Sequence, residues 1–171
     1  MTLAADEPIG VRDALARLAR AGTLTGVTDG LFSSVLSVVF YDSTVERLFQ
    51  GVASTLIGKQ ALDGGTPPAL LGVVMHFGVA FGWSAVFLFL VMRLRWVQRV
   101  LASRHGIVTI AMLYGPLIWM IMSLVVIPLL VDRPPNVGGR WWVQFFGHIP
   151  FVGLPIVASA AGGRRPLGRH G

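Results

Sequence analysis

Asp29, His76, Tyr114, Gln144 and His148 are the residues of this sequence able to hold a proton, a metal or a polar solute inside otherwise apolar runs. An unpaired polar group in a lipid-like interior costs several kcal/mol, so each of them calls for a partner. His76 sits in the middle of "PALLGVVMHFGVAFGW", and Gln144 and His148 share one helical face at i, i+4. Asp29 belongs to a polar ladder, Thr25, Asp29, Ser33 and Ser37, that repeats every fourth residue. Three chemistries use this set. Paired His76 and His148 could ligate a haem iron axially, as in a small b-type electron carrier. The two histidines with Asp29 could bind a transition metal. Asp29, His76 and Tyr114 could relay protons or bind a small polar solute in a transporter. The opposing reading is structural: each histidine bonds Asp29 or a backbone carbonyl freed by a proline and does nothing else.

Other chemistries are excluded by residue type. The chain has no cysteine, which removes disulfides, thiolate metal sites, iron–sulfur clusters and cysteine nucleophiles together. It has no phosphate-binding loop, catalytic triad or paired carboxylates, and Asp29 is the sole acid inside an apolar run, one short of an intramembrane aspartyl protease. The expectation is therefore a non-enzymatic protein with no resident metal or cofactor, haem on His76 and His148 being the minor alternative.

The elements that must position these residues follow from composition. Of 171 residues, 54% are hydrophobic and only 13% charged, and mean hydropathy is +0.70, values that belong to polytopic membrane proteins. For such a chain the placement of the basic residues matters more than the net charge of +6, and nucleic-acid binding is not implied. Apolar runs of about 20 residues, the length that crosses a hydrocarbon core of about 30 Å, occur four times, near 20–41, 68–92, 105–131 and 141–161. Ten of the 14 Lys+Arg fall on one side: Arg12, Arg17 and Arg20, then Arg93, Arg95, Arg99 and Arg104, then Arg164, Arg165 and Arg169. Arg47, Lys59, Arg133 and Arg140 fall on the other, so the positive-inside rule puts both termini in the cytoplasm. Residues 1–19 carry Asp6, Glu7 and Asp13 and no apolar core, unlike a cleavable signal peptide. Val11, Leu15 and Leu18 predict a short amphipathic helix on the membrane surface, and residues 162–171 a basic cytoplasmic tail.

Between the first two spans, Val45, Leu48, Phe49, Val52, Ala53, Leu56 and Ile57 mark one face of a helix over 44–59. It is too short and too two-sided to span, and it reads as an interfacial or shallow re-entrant helix capping the bundle. "DGGTPP" then turns the chain, and Pro67 and Pro68 open the second span without sacrificing an amide donor. Gly22, Gly26 and Gly30 form one close-approach ladder and Gly78 and Gly82 a second, both read as helix-packing surfaces. Pro116 and Pro128 free the carbonyls of Met112 and Leu124, and Pro150 and Pro155 weaken the last span near His148. At a rise of about 1.5 Å per residue, His76 and His148 lie about 5–6 Å outward of the middle of their spans, Asp29 about 2 Å inward and Tyr114 somewhat deeper. Two histidines and one acid can therefore converge in the outer half of the bundle.

The successive patterns "GTLTGVTDG", "RLFQGVASTLIGKQALDGG", "LGVVMHFGVAF", "YGPLIWMIMSLVVIPL" and "GHIPFVGLPI" resemble a group of small four-span bacterial inner-membrane proteins of uncharacterised function. The resemblance runs from about Ala21 to Val157, its most specific parts being the interfacial helix with Gly64-Gly65 and His76. It implies the cytoplasmic membrane of a bacterium and marks Asp29, Gly51, Gly58, Gly65, His76, Tyr114, Gly115, Pro128, His148 and Pro155 as shared features; it transfers no activity. The sequence thus predicts an all-α integral membrane protein of four transmembrane helices plus an amphipathic interfacial helix. The glycine ladders and short loops point to an accessory or scaffold subunit packing in a homo-oligomer or a larger membrane complex. The alternative is a small transporter or proton-linked permease working through Asp29, His76 and His148.

Overall fold

The computed structural model describes residues 10–162. Among the described residues four helices are long and apolar enough to cross a membrane: α1 (Val11–Phe40), α3 (Thr66–Arg93), α5 (Gly106–Val131) and α6 (Gly139–Ala161). Two shorter ones join them, α2 (Val45–Ile57) between α1 and α3, and α4 (Arg95–Leu101) between α3 and α5. The chain is an all-α membrane bundle. One end carries α2 and the 132–138 loop, the other carries the start of α1, α4 and the end of α6.

The first apolar run begins earlier than its composition suggests. α1 is unbroken from Val11, so the stretch expected as a separate surface helix is continuous with the first span. Arg17, paired with Asp13 at 2.8 Å, donates to the Ala160 carbonyl at 2.6 Å and ties this extension to the end of α6. A helix once nucleated propagates through neutral and charged residues alike, and nothing near Arg20 breaks it. The rest of the N-terminal segment and the basic tail lie outside the described residues.

Glycines set the crossings. Gly22 and Gly26 of α1 lie under the Phe81 and Phe77 rings of α3, where a methyl group would come within 2.5 Å of either ring. Gly72 of α3 meets the backbone of α2 at the Phe49 carbonyl. Gly115 of α5 and Gly153 of α6 interlock: a Cβ on the first would lie 2.1 Å from the His148 carbonyl, and on the second 2.4 Å from that of Ala111. Such backbone-to-backbone approach is available to glycine alone. Gly78 and Gly82 differ, since a Cβ on either meets nothing within 4 Å. The second ladder faces away from this bundle.

α2 is fixed at both ends. The Thr44 hydroxyl accepts from the Arg47 amide at 3.0 Å, capping its first turn. The Arg47 guanidinium donates to the Leu62 carbonyl, and the Gln50 amide donates to the Gly65 carbonyl at 3.0 Å. Gly58 and Gly65, at φ +80° and +66°, make the turns on either side of a 3₁₀ segment, Lys59–Asp63.

Three of the four long helices contain a π turn: Leu36–Phe40 in α1, Met122–Val126 in α5 and Ile149–Gly153 in α6. The last two precede Pro128 and Pro155, whose missing amides leave the ladder to be satisfied one residue further back. The buried core, centred on Phe87, Val91, Tyr114, Ile118, Ile156 and Val157, fills the end of the bundle near α4. The half toward α2 is packed less completely, and there the polar residues gather.

Candidate functional site

Asp29 enters the bundle interior from α1, His76 from α3, and Gln144 and His148 from α6, around a cavity of about 280 Å³. Thr25 and Ser33 stand one helical turn on either side of Asp29, so this part of the polar ladder lines the same wall. Leu48, Phe49 and Val52 of α2 close one side, and Trp83 of α3 with Trp119 and Met122 of α5 supply apolar surface.

The two histidines are held alike. His76 Nε2 lies 3.0 Å from the Gly26 carbonyl and His148 Nδ1 lies 2.7 Å from the Gln144 carbonyl. A carbonyl oxygen can only accept, so the nitrogen touching it carries the proton. What each neutral imidazole has left is a lone pair, on Nδ1 of His76 and on Nε2 of His148. Aromatic neighbours fix the rings: Phe49 and Phe77 edge-on to His76, both with centroids 5.8 Å away, and Trp119 tilted over His148 at 4.9 Å.

Asp29 Oδ2 lies 4.0 Å from His76 Nδ1, with the two side chains only 17% and 15% exposed. Both atoms are acceptors when the imidazole is neutral, so a proton or another donor is required between them. Three more polar atoms around the cavity are buried and unpartnered: Thr25 Oγ1, Asp29 Oδ1 and Gln144 Oε1. Gln144 makes one long contact, Nε2 to Ser33 Oγ at 3.4 Å. Buried polar groups are nearly always satisfied, and a cluster of exceptions facing one space marks room for a ligand or water.

A second pocket, of about 260 Å³, lies toward the 132–138 loop and is lined by Tyr41, Ser123, Asn136, Arg140 and Trp141. It shares Trp119, Ile127 and Gln144 with the deeper cavity. Arg140 lies over the Tyr41 ring at 4.1 Å, at the rim. Trp141 Nε1 donates to Ser123 Oγ at 2.9 Å, and Trp119 Nε1 to the Trp141 carbonyl at 3.1 Å, pinning the residues between the pockets. The two spaces lie end to end with Gln144 between them.

Comparison with protein-family models, curated proteins and solved structures finds no match.

Four of the five expected polar residues, Asp29, His76, Gln144 and His148, line one cavity. Tyr114 does not join them. Its hydroxyl donates to the Trp83 carbonyl at 2.8 Å and its ring packs on Phe87 in the core, a place depth arithmetic could not distinguish because it ignores rotation about the helix axis. Ser37 is buried off the cavity, and its carbonyl accepts from the Ser43 amide. The carbonyls freed at Met112 and Leu124 receive neither histidine: His76 and His148 bond the Gly26 and Gln144 carbonyls instead. Among the described residues no group of three or more His, Cys, Asp and Glu is arranged to hold a metal. For a haem, His76 and His148 would offer Nδ1 and Nε2, but aromatic rings pack around both imidazoles and the space between helices is that of a small molecule. Trp119 was not legible as a site residue. Its only signal was a side chain with an N–H group in an apolar run, common to interfacial and packing tryptophans alike.

Proposed function

We propose that this protein is a small-solute carrier of the bacterial cytoplasmic membrane, non-enzymatic, with both termini in the cytoplasm. Its working site is the cavity among Asp29, His76, Gln144 and His148, reached from the outer side past Arg140 and Trp119. The observation that carries this reading is the convergence of unpartnered Thr25, Asp29 and Gln144 oxygens on a space inside the bundle. Buried polar groups look for partners, and here no protein group supplies them. The size, just under the roughly 300–1,000 Å³ of pockets for drug-sized ligands, favours a small solute.

Flux of radiolabelled methylammonium, glycine and acetate across proteoliposomes tests the reading. At least one of the three should cross faster than through protein-free liposomes, and D29N or H76A should return the rate to that background with the fold intact. A wild-type rate at background for all three would refute it.

A second reading, an accessory subunit packing in a homo-oligomer or larger membrane complex, is favoured by the outward face of α3. Val74, Gly78, Gly82 and Ala85 lie there side by side and exposed, a surface suited to close helix approach. G78I with G82I should then shift the detergent-solubilised protein to a smaller assembly, and an unchanged elution volume would remove this reading.

A further inference from the structure

We infer that the solute is a small cationic hydrogen-bond donor, a protonated amine; this rests on the reading of the cavity as a solute site and names its chemical class. The argument is a count of what the cavity still has to offer. One N–H of each histidine is spent on a backbone carbonyl, so in the neutral imidazoles His76 Nδ1 and His148 Nε2 present lone pairs. Asp29 Oδ1 and Gln144 Oε1 are unpartnered acceptors, and the Thr25 hydroxyl can play either part. Gln144 keeps one N–H, and Ser33 and Trp83 keep a hydroxyl and an indole N–H, but the one charged group and both imidazole lone pairs are acceptors, so the matching ligand is a donor.

Charge points the same way. Asp29 is the sole carboxylate around the cavity, and no lysine or arginine among the described residues lines it; Arg140 belongs to the outer pocket, where its charge is laid on the Tyr41 ring. Anions meet no cation inside to offset their desolvation. Trp83 and Trp119 also line the cavity, and indole rings attract ammonium groups and repel carboxylates. Finally, Asp29 Oδ2 and His76 Nδ1, 4.0 Å apart, lie within reach of one nitrogen placed about 2.8 Å from each, the spacing that an sp³ ammonium bridges with two of its N–H bonds.

The test is a binding titration on the full-length protein in nanodiscs, read by tryptophan fluorescence, since Trp83 and Trp119 line the cavity. The probes are propylammonium, tetramethylammonium, propionate and 1,2-propanediol, matched in size and differing in charge and donors. Propylammonium should bind saturably and tighter than the other three. D29N should weaken it about tenfold to a hundredfold, and Q144L should weaken it less, with elution volume and thermal unfolding of both variants checked against wild type. Tetramethylammonium binding as tightly would overturn the donor requirement. Saturable binding of propionate or the diol without propylammonium, or propylammonium binding indifferent to both D29N and Q144L, would overturn the cation assignment while leaving a solute site standing. No saturable binding by any of the four would overturn both.

Discussion

Replacing Gly115 by alanine inserts a methyl group where the structure has the backbone of another helix. The new Cβ would lie 2.1 Å from the His148 carbonyl oxygen and 3.1 Å from the Gly153 nitrogen. Relief to an ordinary contact of about 3.4 Å or more requires α5 and α6 to part by roughly an ångström, because the obstacle is main chain and no rotamer can yield. Overpacking of this kind costs about 1–3 kcal/mol, and the rigid neighbour puts G115A at the upper end. For a chain of this size about 3 kcal/mol corresponds to a fall in Tm of about 6–12 °C. The matched control is G78A, the same substitution in a long helix where a Cβ meets nothing within 4 Å. There the better helix propensity of alanine leaves stability unchanged or raised by about 0.5–1 kcal/mol. Thermal unfolding of both variants in one detergent, followed by circular dichroism, measures the difference. Because the strained contact is at His148 itself, G115A should also impair the cavity. Equal Tm values for G115A and G78A would refute the interlocked crossing of α5 and α6, and with it the placement of His148.

Other variants separate packing from site. Y114F removes the hydrogen bond to the Trp83 carbonyl and should cost about 0.5–1.5 kcal/mol in unfolding experiments with solute flux unaltered; a loss of flux at full stability would return Tyr114 to the site. T44A removes the cap of α2 and should cost about 1 kcal/mol, read by thermal unfolding, with no loss expected in T44S. D29N, whose side chain is nearly isosteric, should leave Tm within a few degrees of wild type and abolish flux. A large fall in Tm with flux retained would assign Asp29 to stability alone.

The four spans were legible because a membrane imposes one requirement that hydropathy records directly: a long apolar helix per crossing. The meeting of Asp29 with His76 and His148 was legible too, since helical rise places residues by depth. Rotation about each axis was not. Tyr114 sits at a compatible depth but points at Trp83, and Gly78 and Gly82 repeat the spacing of Gly22 and Gly26 yet face outward. The π turns in α5 and α6 each offset the helical faces that follow, so a regular 100° wheel drawn from sequence loses register beyond them. The wall built by Leu48, Phe49 and Val52 was hidden for a different reason. An amphipathic helix announces that it has an apolar face, and only the tertiary structure says whether lipid or a cavity lies against it.

The absence of cysteine lets the central claim be tested with one introduced thiol. Ser33 lines the cavity beside Asp29, whereas Val74 of α3 is 69% exposed on the outside of the bundle. In S33C a small, membrane-impermeant methanethiosulfonate added from the outer side should react rapidly, and in V74C, whose thiol would face lipid, slowly or not at all. A thiol at Ser33 unreactive from either side of the membrane would contradict the account, because a cavity closed to water on both sides cannot take up a solute.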